Sequence, residues 1–236
     1  MKVLKFGGTS VGSAKNINNV INILDNHSKD DSIICTVSAV GGITDKLLLA
    51  GKQAQNKDAE YKATFEIIKN IHFDIINELN PNNGKDLKEH VETDLNALKS
   101  LLDGIYLINE LSPKTSDKLV SFGELLSSFI IAETMKHRGM SVVCKNSQEL
   151  IITNSNFTKA EVNYSITNKN IQDYFNNASQ KITIIPGFIS KSQLGEQTTL
   201  GRGGSDFTAA IVAAALKVEQ LEIWTDVSGM FTTNPK

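Results

Sequence analysis

The feature that most constrains the fold is a unit of strand, glycine pair and helix that occurs twice within the first 55 residues. The apolar segments KVLKF and SIICTVSAV are each followed by two glycines, and each glycine pair precedes a stretch with apolar residues at helical spacing. Ser13 is suited to cap the first of these helices, and the second reads ITDKLLLAGKQAQ. Because parallel strands need helical crossovers, this opening predicts an α/β fold with a mostly parallel sheet covered by helices.

The rest of the chain continues the alternation after a polar helical insert. Residues 58–103 are predicted to form two helices, separated by the turn sequence NPNNGK and laid over the edge of the domain. A long helix, LVSFGELLSSFIIAETMKHRG, is expected to stop at Gly139. Further strands are predicted at MSVVCK, KITIIPGF and LEIWTDV, with a helix, DFTAAIVAAALK, before the last of them. Ligands of such sheets bind beyond the carboxyl ends of the strands, so we expect functional residues there.

Charge and hydropathy exclude several classes of protein. The chain has 24 Lys+Arg and 26 Asp+Glu, a formal net charge of -2, which does not favour nucleic acid as a partner. Apolar runs such as AAIVAAAL are too short for a membrane span, and the N-terminus leads directly into a strand instead of a signal peptide. We therefore expect a cytoplasmic protein with no membrane partner, in which Cys35 and Cys144 are reduced and act as small apolar side chains.

The motif KFGGTS places Lys5 and two glycines at the junction of the first strand and the first helix. Glycines let the backbone approach a ligand closely, and N–H groups at a helix N-terminus attract anions, so the motif indicates a phosphate cradle. It is not a Walker loop, because Ser13 and Ala14 stand where that motif has lysine and Ser/Thr. The glycine motifs of protein kinases and of dinucleotide-binding folds do not occur either. The ammonium of Lys5 is instead expected to meet the oxygens of a phosphoryl group held by the loop.

A second glycine turn, LGRGGSDFTAA, lies directly before an alanine-rich helix. One interpretation is that Ser205 or Asp206 is only the N-cap of that helix. Capping alone does not require three glycines and an arginine in the same turn, so we favour a functional role. Arg202 is then expected to bind a carboxylate bidentately, and Asp206 to organise Mg²⁺ or the lysine that takes part in phosphoryl transfer.

Glu124 is the only charged side chain between Lys118 and Glu133, in a predicted helix that is otherwise largely apolar. A buried carboxylate needs a partner, so Glu124 belongs either to an internal salt bridge or to a ligand site, and its spacing does not decide between them. Its neighbour Gly123 lowers helix stability without an evident packing reason.

Six segments together resemble the aspartate kinases of the amino acid kinase family, and they occur in the family's order along essentially the whole chain. They are KFGGTS, VSAVGGITDKL, SFGELLSS, PGF, LGRGGSDFTAA and WTDVSGMFTTNPK. The resemblance implies a three-layer α/β/α sandwich with a mostly parallel, eight-stranded central sheet. It also implies that residues 1–236 are a catalytic domain truncated at its C-terminal end, without the regulatory ACT domains that follow in the family, or the homoserine dehydrogenase of its bifunctional members.

The resemblance also implies roles for individual residues. The catalytic positions are matched by Lys5 and Asp206. The aspartate-binding positions are matched by Ser38, Thr44, Glu124, Arg202 and Ser205. The nucleotide-binding positions are matched by Lys5, Gly7, Gly8, Thr9, Ser10, Thr225, Asp226, Phe231 and Lys236. ATP and Mg²⁺ are the implied cofactors, and no metal site built from protein residues alone is expected.

The implied activity is ATP-dependent phosphorylation of the β-carboxylate of L-aspartate to 4-phospho-L-aspartate, the first step toward lysine, threonine and methionine. A carboxylate with a pKa of about 4 is ionised at neutral pH, so the reaction needs no general base. The full-length protein is expected to be a homo-oligomer. Two alternatives stay open: a nucleotide-binding fragment with impaired catalysis, and a related carboxylate kinase with another substrate. We assign no role to the four histidines, which lie in segments that read as polar helices or loops: His27, His72, His90 and His137.

Overall fold

A computed structural model describes residues 1–81 and 84–225 of the chain. The helices are α1 (Ala14–Ser28), α2 (Ile43–Gln55), α3 (Tyr61–Leu79), α4 (Lys85–Ile108), α5 (Pro113–His137), α6 (Tyr164–Asn176) and α7 (Gly204–Leu216), with a 3-10 helix at Ser147–Glu149. The strands are β1 (Lys2–Phe6), β2 (Ile33–Val37), β3 (Val142–Cys144), β4 (Ile152–Thr153), β5 (Ile182–Pro186), β6 (Ile189–Ser192), β7 (Gln197–Thr199) and β8 (Leu221–Trp224).

The strands and helices predicted from the sequence are present. Ser13 caps α1 as expected, because its hydroxyl oxygen accepts a hydrogen bond from the amide of Asn16 at 3.2 Å. Gly139, with a φ of 80°, follows the end of α5 in the left-handed conformation typical of helix termination. Helix α6 and strands β4, β6 and β7 were not predicted, because they are short or largely polar and show no clear hydrophobic period.

The strands form two sheets. Five of the described strands make a parallel central sheet in the order β3-β5-β2-β1-β8. The other three make a separate sheet in the order β4-β6-β7, in which only the β6–β7 pair is antiparallel among the described strands. The mostly parallel α/β architecture is confirmed, but one eight-stranded sheet is not. The chain turns away after β5 because Phe188 has a φ of 66°, so β6 starts in a new direction and pairs outside the central sheet.

Helices cover both faces of the central sheet. Side chains alternate along a strand, so Leu4 of β1 lies in an apolar cluster with α1 to α5, whereas Val3 lies in a second cluster with α6 and α7. The same alternation separates Cys35 from Ile34 in β2. This is the α/β/α layering that the sequence implied.

The helical insert is part of the main core and does not simply cover an edge. Helices α3 and α4 pack against α2, and Ile68 and Leu98 are fully buried in the larger cluster. His72 is also fully buried, so the expectation that it lies in a polar segment is wrong. The reason is helical spacing: His72 follows Ile68 by four residues and precedes Ile76 by four, which places all three on one face of α3.

Helix α5 packs closely against the loop that follows β2, and this contact explains Gly123. A Cβ atom on Gly123 would lie 2.8 Å from the Cβ of Ala39, well inside the contact distance of two carbon atoms. The expectation that this glycine has no packing reason is therefore wrong. Glycine is needed so that α5 can approach the loop.

Two further observations concern the membrane and the cysteines. Within residues 1–81 and 84–225, no helix combines the length and the apolar character that crossing a membrane requires. Cys35 is buried, Cys144 is partly buried, and both are free thiols, as the sequence predicted.

Candidate functional site

The two glycine pairs that follow β1 and β2 are in contact, because these strands are neighbours in the sheet. A Cβ on Gly8 would lie 3.0 Å from the carbonyl oxygen of Ala39, and one on Gly41 would lie 3.2 Å from the carbonyl oxygen of Gly8. At both positions the backbone of one loop packs directly against the backbone of the other, which leaves little room for a side chain and favours glycine. The contact brings the KFGGTS loop beside the N-terminus of α2, which begins after Gly42 with a φ of 77°.

Lys5 of β1 and Asp206 of α7 form an ion pair with 2.7 Å between Nζ and Oδ1. Helix α7 is capped by the backbone of Gly203, and no side chain makes a capping hydrogen bond. The interpretation that Ser205 or Asp206 is the N-cap is therefore wrong, because both lie inside the helix. The side chain of Lys5 is 11% exposed and that of Asp206 is 48% exposed, so the carboxylate is the more accessible partner.

A cavity of about 530 Å³ lies at the carboxyl ends of the central strands. Both predicted catalytic residues, Lys5 and Asp206, line it. All the residues predicted to bind aspartate line it as well: Ser38, Thr44, Glu124, Arg202 and Ser205. The structure thus brings together groups from the loop after β2, from α2, from α5 and from the turn at α7. The cavity lies where the strand order leads us to expect a ligand.

Glu124 is 4% exposed and has one unused acceptor. Its Oε1 accepts a hydrogen bond from the amide of Ala39 at 3.2 Å, whereas Oε2 has no hydrogen-bond partner in the described residues. Burial raises the pKa of Glu124 to about 8, although the hydrogen bond from Ala39 acts in the opposite direction. Within the described ranges no salt bridge to Glu124 is present, so its free Oε2 is available to a cationic group in the cavity.

The cavity combines this carboxyl group with several positive features. Lys5 and Arg202 supply full charges, and the N-termini of α2 and α7 add partial positive charge. Arg202 is exposed, and no described carboxylate pairs with it. Its turn depends on glycine, since Gly201 and Gly203 have φ angles of 76° and 75°. The arrangement can bind anionic groups and one cationic group together.

The loop after β1 is held by its own backbone and keeps two amides available. The amides at positions 10, 11 and 12 donate to carbonyl oxygens three residues earlier, at 3.0 to 3.3 Å. The amides of Gly8 and Thr9 have no hydrogen-bond partner in the part of the chain that is described. Two free N–H groups in a loop that leads into a helix are suited to bind an anion.

The residues predicted to contact the nucleotide lie around this loop. Lys5 and Gly8 line the larger cavity, and a Cβ on Gly7 would lie 3.5 Å from Nζ of Lys5. A second cavity of about 270 Å³ is lined by three more of them: Thr9, Ser10 and Thr225. The loop therefore reaches both cavities. The remaining three lie outside the described residues: Asp226, Phe231 and Lys236.

Sequence reasoning missed Asp117, which also lines the larger cavity. Asp117 is 1% exposed, and its carboxylate accepts hydrogen bonds from Thr158 and Thr199. One signal was available: Asp117 precedes Glu124 by seven residues, about two helical turns, and so lies on the same face of α5. The partners of Asp117 had no signal in the sequence, because Thr158 lies in a turn and Thr199 at the end of β7, both distant from Asp117 along the chain.

Comparison with known proteins agrees with the geometry of the site. The whole chain, residues 1–236, matches the model of the amino acid kinase family. The chain belongs to the amino acid kinase family. It is 33% identical to the bifunctional aspartokinase/homoserine dehydrogenase of Buchnera aphidicola and 35% identical to the chloroplastic aspartokinase 1 of Arabidopsis thaliana. Among solved structures, it is similar to Escherichia coli aspartokinase III in complex with aspartate and ADP, with a TM-score of 0.89 and 31% identity.

These alignments cover almost all of this family member but only part of each relative. They include 100% of the chain and 29% of the Buchnera protein, and 99% of the chain and 41% of the Arabidopsis protein. The structural alignment includes 100% of the chain and 51% of the E. coli chain. This amino acid kinase chain thus spans between 29% and 51% of the length of these relatives.

Proposed function

We propose that this chain is the catalytic domain of an aspartate kinase, which transfers the γ-phosphoryl group of ATP to the β-carboxylate of L-aspartate and forms 4-phospho-L-aspartate. The observation that carries the proposal is the meeting of the Lys5–Asp206 ion pair, Glu124 and Arg202 in one cavity. Similarity to a structure of aspartokinase III with aspartate and ADP supports the choice of both substrates.

The charged groups of the cavity complement those of L-aspartate. The exposed guanidinium of Arg202 is suited to bind the α-carboxylate through two parallel hydrogen bonds. The free Oε2 of Glu124 is suited to accept a hydrogen bond from the α-ammonium, whose charge would favour the ionised form of Glu124. Hydroxyl groups near these ends would complete the site: Ser38, Thr44 and Ser205.

The proposed chemistry depends on positioning and positive charge. The β-carboxylate is ionised at neutral pH and attacks without a general base. Because the acceptor and the γ-phosphate are both anionic, the site must neutralise charge while it aligns them. Lys5 would supply that charge, and Asp206 would hold its ammonium in place through the 2.7 Å ion pair. The free amides of Gly8 and Thr9 would bind phosphate oxygens.

The other nucleotide contacts follow the same proposal. Gly7 and Ser10 belong to the phosphate loop, and Thr225 lies at the second cavity. Asp226, Phe231 and Lys236 would contact the nucleotide as well.

Magnesium fits this site as an ion that arrives with ATP. Mg²⁺ usually keeps several waters and takes one or two protein carboxylates together with substrate phosphates. The described residues hold no group of three or more His, Cys, Asp or Glu that could bind a metal by themselves. Asp206, with its half-exposed carboxylate in the cavity, is the residue that would hold Mg²⁺, which would neutralise phosphate charge there.

For the whole protein, the proposal includes the first step toward lysine, threonine and methionine, a cytoplasmic location and a homo-oligomeric state. The names of the relatives support the pathway, and they include bifunctional proteins with a homoserine dehydrogenase. Cell fractionation and light scattering of the full-length product test the location and the oligomeric state.

The decisive experiment measures ADP release with L-aspartate, L-glutamate and N-acetyl-L-glutamate, and traps any acyl phosphate with hydroxylamine. We expect ADP release and hydroxamate formation with L-aspartate only. Hydroxamate formation with one of the other acids would indicate a related carboxylate kinase. Binding of ATP without hydroxamate from any of the three would show that the chain is a nucleotide-binding fragment.

A further inference from the structure

The buried carboxylate of Asp117 connects three segments that surround the cavity. Its Oδ2 accepts hydrogen bonds from the amides of Thr158 and Thr199, at 2.8 and 3.0 Å. Its Oδ1 accepts a hydrogen bond from the hydroxyl of Thr199 at 2.8 Å. Burial raises the pKa of Asp117, and these hydrogen bonds act in the opposite direction because they stabilise the ionised form.

Both partners of Asp117 adjoin the turn that carries Arg202. Thr199 ends β7, three residues before Arg202. Thr158 has a φ of 70° and places its carbonyl oxygen 3.3 Å from where a Cβ on Gly201 would lie. The two segments are also joined to each other, because the amide of Ala160 donates to the carbonyl oxygen of Thr199 at 2.9 Å. The turn therefore packs against the backbone of Thr158 and Thr199, and the hydrogen bonds of Asp117 connect that backbone to α5.

The same helix carries Glu124. Asp117 and Glu124 lie about two turns apart on one face of α5. Glu124 accepts a hydrogen bond from the amide of Ala39 in the loop after β2. Asp117 accepts hydrogen bonds from the amides of two residues next to the Arg202 turn. One rigid element thus sets the positions of the carboxyl group and the guanidinium at the cavity.

We propose that Asp117 is a positioning residue for the acceptor substrate. Its three hydrogen bonds fix the turn that carries Arg202 relative to Glu124, and so set the distance between the groups that bind the two ends of the amino acid. The identity of the substrate rests on the proposed function, whereas the restraint on the turn does not. Asp117 acts through the backbone of Thr158 and Thr199, since both of its oxygens are already engaged.

Three substitutions separate positioning from a general effect on stability. Asp117→Ala removes all three hydrogen bonds and leaves two amides without their acceptor. Asp117→Asn keeps the shape, because the amide oxygen can accept both N–H groups and the Thr199 hydroxyl can accept from the amide nitrogen. Ser121→Ala is the matched control: Ser121 is fully buried one turn further along α5, and its hydroxyl donates to the Asp117 carbonyl oxygen at 2.6 Å.

Hydrogen exchange tests the restraint without any substrate. In Asp117→Ala we expect faster exchange of the amides of Thr158 and Thr199, measured in peptides that cover residues 155–160 and 197–204. Asp117→Asn and Ser121→Ala are expected to keep the slow exchange of the unmodified chain. Unchanged exchange in folded Asp117→Ala protein would overturn the proposal.

Calorimetric titration tests the consequence for binding. We expect Asp117→Ala to weaken L-aspartate binding about 10- to 100-fold, the scale of a misplaced binding group, and to leave ATP binding unchanged. In a chain that already carries Arg202→Ala, Asp117→Ala should cause no further loss of affinity for L-aspartate, because Asp117 acts by positioning Arg202. Equal losses for L-aspartate and ATP, or full additivity with Arg202→Ala, would overturn the proposal.

Two outcomes are interpreted separately: the unmodified chain does not bind L-aspartate, or Asp117→Ala does not fold. If the unmodified chain binds no L-aspartate, the proposed function fails, and hydrogen exchange still decides whether Asp117 restrains the turn. If Asp117→Ala does not fold, Thr199→Val replaces it, because that change removes only the hydroxyl hydrogen bond. A smaller loss of L-aspartate affinity is then expected, and no loss would count against the proposal.

Discussion

The ammonium of Lys5 lies 2.7 Å from the carboxylate of Asp206, although Lys5 belongs to the first strand and Asp206 to α7. This ion pair joins the two glycine turns, since Lys5 precedes the KFGGTS loop and Asp206 follows the Gly-rich turn of Arg202. The contact places a positive charge in the cavity, and a Cβ on Gly7 of the loop would lie 3.5 Å from that ammonium. In the proposed reaction that charge faces the transferring phosphoryl group.

Lys5→Met is expected to lower kcat for aspartate phosphorylation by about 10²- to 10³-fold, because methionine fills the space but cannot stabilise developing charge. Steady-state kinetics measures the loss, and circular dichroism checks that the variant is folded. Lys15→Met is the control, since Lys15 is an exposed lysine of α1 that does not line the larger cavity. Full activity of Lys5→Met would contradict the mechanism.

Gly123→Ala is expected to destabilise the protein by about 1–3 kcal/mol, because the new methyl group would overlap Ala39. This loss outweighs the gain in helix propensity of about 1 kcal/mol. The matched control is Gly104→Ala in α4, where a Cβ would have no neighbour within 4 Å, and where we expect a gain in stability. Urea unfolding measures both values. Equal gains for the two variants would show that α5 can move away from the loop.

Glu124 is expected to make the ligand-free protein less stable as pH rises. Its pKa is raised from 4.5 to about 8 by burial, so between these values the folded state holds a proton that the unfolded state releases. The stabilisation is complete below pH 4.5 and is lost as pH rises to about 8, by up to about 1.4 kcal/mol per pH unit. Glu124→Gln removes this slope and keeps the neutral shape. If the free energy of unfolding changed with pH in the same way in Glu124→Gln and in the wild type, Glu124 would not be the source of the pH dependence.

His72 is expected to act in the opposite direction, as a source of acid sensitivity. Burial lowers the pKa of His72 below its ordinary value of 6.5, so the folded state disfavours the proton that the unfolded state binds. Its contribution to stability is present above pH 6.5 and is lost as pH falls below that value.

His72→Met is expected to remove this acid sensitivity, because methionine fills the site without a titratable group. It also removes Nε2, which has no partner in the described residues. The free energy of unfolding in urea, at about pH 5 and pH 7.5, tests this. His137→Gln, which replaces an exposed histidine, is the control variant. A wild-type slope in His72→Met would rule out His72 as its source.

Much of the fold was predictable, because the patterns that predict it are local. Apolar runs ended by glycine pairs located β1 and β2, and the segment ITDKLLLAGKQAQ coincides with α2. The glycines of the site were also visible, since tight turns and close backbone contacts require that residue type. The division of the strands into two sheets was not visible, because it depends on the backbone turn at Phe188.

The candidate site shows the same limit. Motifs identified four candidate catalytic or binding residues: Lys5, Arg202, Glu124 and Asp206. No local pattern predicts which of them are in contact in the folded protein. Whether Glu124 faces a cation, whether Asp206 caps a helix and whether Gly123 has a neighbour are all decided by contacts between segments that are distant along the chain. Asp117 was missed for that reason, since its partners, Thr158 in a turn and Thr199 at the end of β7, are distant from α5 along the chain. Chain composition and periodicity therefore account for the elements and the kinds of group present, whereas long-range packing sets their distances, burial and pKa values.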